Sequence, residues 1–346
     1  MEPPETSIPE LSTLLLAQAT HRLLKLLPPE EAHSVGLRLL RYARPSRLGP
    51  PDSLALKTWL GELQPPIGLA AGFDKTGACV AELASLGFGY IVAGSVTLRP
   101  RSGNRKPRIV RRRGEALVNA MGLPNPGVEA FSTNLVGTAP SAGVPVVASI
   151  AGSNPEEILR CYERLRGVVS AVEVNLSSPS LEDAQRIWSE PEFKILVDWL
   201  DSSKWCPLAL KIPPLAREDL RKLVLRAVEV WADNGMDCIT AVNTLPVKEE
   251  RLSTGFGGLS GRPLNPYMVE TLKEVRRIVD GGCAINAVGG IFTGDDAIRA
   301  FRLGASTVQI YTALAYRGPL AARKIVTEMS RALARMGAHR LEEILP

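Results

Sequence analysis

From Pro66 onward the chain alternates short apolar runs rich in Val, Ile and Ala with amphipathic stretches, and this rhythm constrains the fold more than any other feature. Eight runs stand out: Ile67 to Phe73, Tyr90 to Val96, Val144 to Ala151, Ala171 to Ser177, Leu208 to Ile212, Cys238 to Thr244, Ala284 to Gly290, and Thr307 to Ala313. Runs of this kind read as strands covered on both faces, as in a parallel sheet. Nearly every one is followed by a helical pattern, for example Ala216 to Trp231 with leucines at three- and four-residue spacing. Eight βα repeats predict an α/β fold, a closed (β/α)8 TIM barrel rather than an open doubly wound sheet. Chemistry in such a barrel sits at the C-terminal ends of the strands, so the residues closing each run are the candidates.

Two helices are expected ahead of the barrel, Leu11 to Leu27 and Pro29 to Tyr42, separated by Pro28 and Pro29, which cannot continue the first and can open the second. Residues 1–48 thus form a helical extension and residues 49–346 the barrel. The leucines of the extension need a partner. They either cap the barrel or make a hydrophobic mouth lying on a membrane, and the sequence alone favours the cap.

Composition excludes several alternatives. With 346 residues, 45% of them hydrophobic, and a mean hydropathy of +0.04, the chain can bury a large core. The formal charge of +5 suits a phosphate-bearing cofactor, an acidic substrate or an anionic membrane surface without choosing among them. The five cysteines form no C-x-x-C pair, which points to a reducing compartment and to no metal or disulfide framework. All three histidines, His21, His33 and His339, lie near the chain ends, which argues against a Ser-His-Asp triad or a histidine metal site in the barrel. No run approaches the roughly 20 apolar residues of a membrane span, and no signal peptide is evident, so the chain is not expected to cross a membrane. The basic segment Arg99 to Arg113 lacks interleaved aromatics and contains Gly103 and Pro107; it reads as a charged rim hairpin, with no nucleic-acid partner.

The strand ends carry polar side chains and glycines: Lys75, Gly94-Ser95, Asn175 with Ser177-Ser178, Lys211, Asn243-Thr244, Gly289-Gly290 and Tyr311-Thr312. Gly289-Gly290, followed by Thr293-Gly294, and Tyr311-Thr312 come from the seventh and eighth strands, where barrels commonly bind phosphate; taken singly, each glycine pair could equally make a tight turn. Lys211 ends a buried strand and needs an anion there, either a reduced flavin ring or an internal carboxylate. Asn119, Asn175 and Asn243 each offer a donor and an acceptor, which suits a flat heterocycle, although each could also be a loop residue.

These same positions carry a resemblance to the dihydroorotate dehydrogenases that covers essentially the whole chain. Its most specific pieces are Ala70-Ala71-Gly72-Phe73-Asp74-Lys75, Gly94-Ser95-Val96-Thr97, Gly103-Asn104 with Pro107-Arg108 and Arg111, Asn175-Leu176-Ser177-Ser178-Pro179, Gly257-Gly258-Leu259-Ser260-Gly261, and Val308-Gln309-Ile310-Tyr311-Thr312-Ala313. The resemblance implies non-covalent FMN held by Ala71, Gly72, Ser95, Asn119, Asn175, Lys211, Asn243, Ser260, Gly261, Gly289, Gly290, Tyr311 and Thr312. Dihydroorotate would meet Lys75, Asn119, Met121, Gly122, Leu123, Asn175, Asn243 and Thr244, with Ser178 as the base that removes the C5 proton and hydride leaving C6 for the flavin. No metal is implied.

A serine at position 178, where the soluble classes have cysteine, resembles the membrane-associated class that passes electrons to a quinone. In that class the extension forms the quinone's entry, which favours peripheral membrane contact through residues 11–45, places Arg111 near the quinone tunnel, and implies a monomer either on the cytoplasmic side of the membrane or in the cytoplasm. The chain departs from the pattern at Ser180-Leu181, where the family continues Asn-Thr, and Asn119 to Asn125 and Ser149 to Gly152 look more like the cysteine-dependent enzymes. Another cyclic dihydro substrate, a soluble acceptor, or a catalytically silent flavin-binding relative is the alternative these departures raise.

Overall fold

The structure, a computed structural model, describes residues 18–41, 49, 51–177, 187–279 and 281–346. All eight apolar runs become strands: β1 (Ile67–Leu69), β2 (Tyr90–Val96), β3 (Val146–Ile150), β4 (Ala171–Asn175), β5 (Leu208–Ile212), β6 (Cys238–Ala241), β7 (Ala284–Val288) and β8 (Thr307–Ile310). They pair in parallel and close on themselves, the seam lying where Val308 of β8 meets Ile67 of β1. Several are shorter than the runs that foretold them. Residues 70–73 and 242–244, for example, lie beyond the strands, although the N–H groups of Ala70 and Val242 still donate to the carbonyls of Ile310 and Val288 at 3.0 and 2.8 Å.

Side chains alternate between the helices outside and the interior of the barrel. Val172 and Val174 of β4 pack outward with Leu208, Leu210 and Ile212 of β5. Glu173, Asn175 and Lys211, at the intervening positions, are buried on the inner side. Tyr90 also fills the interior, and Gly68 makes room for it, since a Cβ at position 68 would stand 2.3 Å from the Tyr90 ring. Below, Tyr90 Oη and Thr307 Oγ1 are 2.6 Å apart, and Thr307 donates to Asn286 Oδ1 at 2.7 Å. An antiparallel hairpin, Leu56–Thr58 with Gly61–Leu63, brings Trp59, whose Nε1 donates to the same Asn286 oxygen at 2.9 Å.

The surrounding helices follow from local sequence. Pro155–Arg164 starts with Pro at its first position, and Asn154 accepts from the Glu157 N–H. Gly294–Arg302 is opened by a capping box between Thr293 and Asp296. The helix expected at Ala216 to Trp231 runs Glu218–Asp233 and buries Val224, Ala227, Val228 and Trp231 against the sheet. The five cysteines are free and buried. Burial pushes the Cys161, Cys206 and Cys283 thiols up to about 12.

A second, four-stranded antiparallel sheet lies over the strand ends: Leu245–Lys248, Phe256–Gly261, Ala116–Asn119 and Ile109–Arg112, in that order. A rim hairpin does form its outer half, but over residues 109–119 rather than the expected Arg99 to Arg113, of which only Ile109–Arg112 is strand. Pro29–Leu40 is the second helix of the extension, ending two residues before the expected Tyr42, and residues 18–24 are also helical. The first helix therefore stops at residue 24, three residues short of the expected Leu27, and its expected start, residues 11–17, lies outside the described residues. Arg108 clamps the extension: its guanidinium donates to Glu30 from Nε at 3.2 Å and from Nη2 at 2.7 Å. Arg111 donates to the Leu27 carbonyl at 2.7 Å.

Candidate active site

One cavity of about 1220 Å³, its open mouth included, occupies the C-terminal end of the barrel beneath the antiparallel sheet. Ala71, Gly72 and Ser95 reach it from the ends of β1 and β2; Asn175 and Lys211 from β4 and β5; Asn243 and Thr244 from beyond β6; Gly289, Gly290, Tyr311 and Thr312 from beyond β7 and β8. Lys75, Met121, Gly122 and Leu123 come from loops, and Asn119, Ser260 and Gly261 from the covering sheet. Every described residue expected to hold the cofactor or substrate therefore lines the same space, whereas the strand-end residues Gly94 and Ser177 do not. Ser178, Ser180 and Leu181 lie outside the described residues.

Lys75 is displayed by a fixed turn. The buried Asp74 carboxylate accepts from the N–H groups of Thr76, Gly77 and Cys79, at 3.0, 2.9 and 2.7 Å, which locks the chain after β1. The Lys75 ammonium donates to the Gly72 carbonyl. Burial, reinforced by the Arg108 charge, brings the Lys75 ammonium down to about 8.

The polar side chains at the ends of β2 to β6 form a connected network. Asn175 Nδ2 donates to Ser95 Oγ at 2.8 Å, and Ser95 Oγ lies 2.8 Å from Ser149 Oγ. Asn243 Nδ2 donates to Ser177 Oγ at 2.9 Å, and the Ser177 hydroxyl donates to Asn175 Oδ1 at 3.1 Å. This fixes the residue directly before Ser178. Asn119 Nδ2 makes only a 3.4 Å bond to the Gly258 carbonyl, and its oxygen accepts from no described residue.

At the opposite end, the backbone N–H groups of Gly289, Gly290, Tyr311 and Thr312 make no hydrogen bond among the described residues. Gly289 and Thr312 are buried, Gly290 and Tyr311 half-buried, and N–H groups left unpaired beside a cavity suit an acceptor such as a phosphate, which supplies several oxygens at once. Gly290 is held there at φ +68°, and a Cβ on it would lie 2.6 Å from the Asn265 nitrogen. Thr293 and Gly294 do not join this end, contrary to expectation. The Thr293 hydroxyl caps its own helix, and the Gly294 N–H donates to the Glu328 carboxylate at 2.8 Å.

Lys211 shows which of its two expected partners the fold supplies. Its Nζ lies 3.4 Å from Glu173 Oε1, both side chains being almost fully buried. The signal was present: Glu173 stands two residues before Asn175 in a strand, so both face inward. His33 was set aside on sequence because it sits near a chain end, yet the fold packs it behind the site, two rings away from the cavity-lining Tyr311. Its ring meets Phe73 edge-on at 4.7 Å, and Phe73 meets Tyr311 at 5.3 Å. Burial and the Lys75 charge push the His33 imidazole down to about 4, so it is neutral at physiological pH. The apolar wall made by Ile109, Leu117, Leu264 and Phe292 was also missed.

Known proteins similar to this chain in sequence and fold form a consistent set. A protein named dihydroorotate dehydrogenase (quinone) from Paraburkholderia phymatum is 36% identical over 342 residues, covering 89% of this chain and 95% of its own length. One of the same name from Halobacterium salinarum is 34% identical, with 92% and 95% covered. The crystal structure of DHODH from Eimeria tenella in complex with ferulenol superposes with a TM-score of 0.84 at 25% identity, covering 91% of this chain and 94% of its own. Residues 53–333 match the family description Dihydroorotate dehydrogenase, and with that match spanning most of the barrel the chain belongs to the dihydroorotate dehydrogenase family.

Proposed function

We propose that this chain oxidises (S)-dihydroorotate to orotate, a step of pyrimidine biosynthesis, with FMN in the barrel-mouth cavity and a quinone as the final electron acceptor. The observation that carries this reading is the division of one cavity into two chemistries. The unpaired N–H groups of Gly289, Gly290, Tyr311 and Thr312 stand at one end, and Lys75 with the asparagine network at the other. The first suits the cofactor's phosphate, the second a flat anionic heterocycle.

FMN, when bound, supplies a two-electron acceptor for the hydride that leaves substrate C6. The chain's own residues do the rest. Lys75 pairs with the substrate carboxylate. Asn119, Asn175, Asn243 and Thr244 meet its ring N–H and C=O groups, and the antiparallel sheet keeps bulk water off them. Ser178, following the anchored Ser177, takes the C5 proton, and a hydroxyl must pass that proton on to act as a base. Lys211, lining the same cavity, would stabilise negative charge that develops on the cofactor.

For the acceptor, the relatives' names point to a quinone. The extension supports peripheral membrane contact, because Leu23, Leu26 and Leu39 are 67%, 82% and 45% exposed. Among the described residues no helix is long and apolar enough to cross a membrane.

The test is anaerobic absorbance of the flavin-replete protein on adding dihydroorotate. Rapid bleaching that is lost in Ser178→Ala supports substrate and base together. Bound flavin that dihydroorotate leaves oxidised refutes the substrate and turns attention to Ser180 and Leu181.

A further inference from the structure

Glu173 touches neither the cavity nor solvent, and nothing in the reaction as described uses it. It sits on β4 with Asn175 two residues further on, and Asn175 is in register with Lys211 of β5. Its Oε1 lies 3.4 Å from Lys211 Nζ, with side-chain exposures of 1% and 6%. Its other oxygen, Oε2, has no hydrogen-bond partner among the described residues. An ion pair kept for stability alone would have both oxygens satisfied, because a half-satisfied buried carboxylate is costly and apolar replacements are often neutral or better. Lys211 lines the cavity in which the cofactor would sit, while Glu173 does not and reaches it only through Lys211.

We propose that Glu173 is a positioning residue that offsets the Lys211 charge and thereby holds down the reduction potential of the bound flavin. This rests on the flavin reading above. Reduction adds negative charge to the ring, which Lys211 stabilises and the Glu173 carboxylate opposes. In a buried setting of low dielectric neither charge is screened as it would be in water. A flavin held at lower potential gives its electrons to an acceptor more readily, so the pair trades ease of substrate oxidation for ease of reoxidation.

The experiment is a potentiometric titration of the purified holoprotein against a reference dye. Glu173→Gln is expected to shift the bound flavin at least about tenfold towards the reduced form, which is about 30 mV upward for a two-electron couple. Glu173→Val, neutral and β-branched as the strand prefers, gives the same direction and serves if the glutamine variant does not fold. Glu173→Asp keeps the carboxylate and stays near the wild-type value. An unchanged or lowered potential in the neutral variants, with flavin bound, overturns the inference alone. An equal rise in Glu173→Asp also overturns it, since packing rather than charge would then be responsible. Wild-type protein that binds no flavin overturns the proposed function and this inference together.

Discussion

Lys75 makes the affinity for an anionic substrate depend on pH in a range where most lysines do not titrate. With its ammonium brought down to about 8, about nine-tenths of the side chains are charged at pH 7 and about one-tenth at pH 9. If the charged form is the one that pairs with the substrate carboxylate, affinity falls roughly tenfold between those two values, about 1.4 kcal/mol. Orotate binding, followed through the flavin spectrum from pH 6.5 to 9, measures this directly. Lys75→Arg keeps its charge throughout and flattens the profile, while Lys75→Met weakens binding at every pH. Stability runs the other way. The folded value lies below the unfolded one, so between about pH 8 and 10.5 the unfolded chain binds more protons and this group's contribution rises with pH, by at most about 1.4 kcal/mol per unit. An affinity that changes less than about twofold from pH 7 to 9, or that falls equally in Lys75→Arg, refutes the assignment.

Other consequences are equally direct. Burial raises the Glu30 carboxyl, but the Arg108 bonds and the Arg108 and Lys106 charges outweigh it, so its folded value lies below 4.5. The clamp on Pro29–Leu40 is therefore complete above pH 4.5 and weakens as pH falls through that lower value. Glu30→Gln should loosen the helix by about 1–2 kcal/mol, read as faster amide exchange confined to that helix. Gly290→Ala places a Cβ against the Asn265 nitrogen at positive φ; we expect about 1–3 kcal/mol of destabilisation and a lower flavin-to-protein ratio after gel filtration. Asn243→Ala removes the 2.9 Å bond to Ser177 and should weaken orotate binding by at least about tenfold. Unchanged binding would show that the network holds the loop without contributing to recognition.

The barrel was legible because burial on both faces leaves a local mark, an apolar run, that needs no knowledge of its partners. The covering sheet left no such mark. Its strand Leu245–Lys248 contains Pro246 and alternates with exposed residues, and Gly257 and Gly258 read as a motif rather than as backbone paired with Val247 and Asn119. Its pairing joins loops more than a hundred residues apart, so only the fold reveals it. The candidate residues were legible in part because polar groups that close apolar runs stand out, and in part through the family resemblance. For Lys211 the need for an anion was legible, and so was the inward position of Glu173, but not which partner it would take; the edge-on contacts of His33, Phe73 and Tyr311 were not legible, because each ring looks ordinary until the chain is folded.

The seam between β8 and β1 gives the molecule an order of assembly. Val308 and Ile67 are neighbours in space but separated by most of the barrel in sequence, so the last strand must find the first before either edge is satisfied. Ala71 and Gly72 follow one side of that seam, Tyr311 and Thr312 the other. The cavity is therefore incomplete in a chain that has built seven strands, and the end lined by Tyr311 and Thr312 is completed in the same event that closes the ring. A ligand that binds only the closed form adds its binding free energy to closure alone. Flavin capture during refolding should accordingly lag behind helix formation and report the moment at which the two ends of the sheet meet.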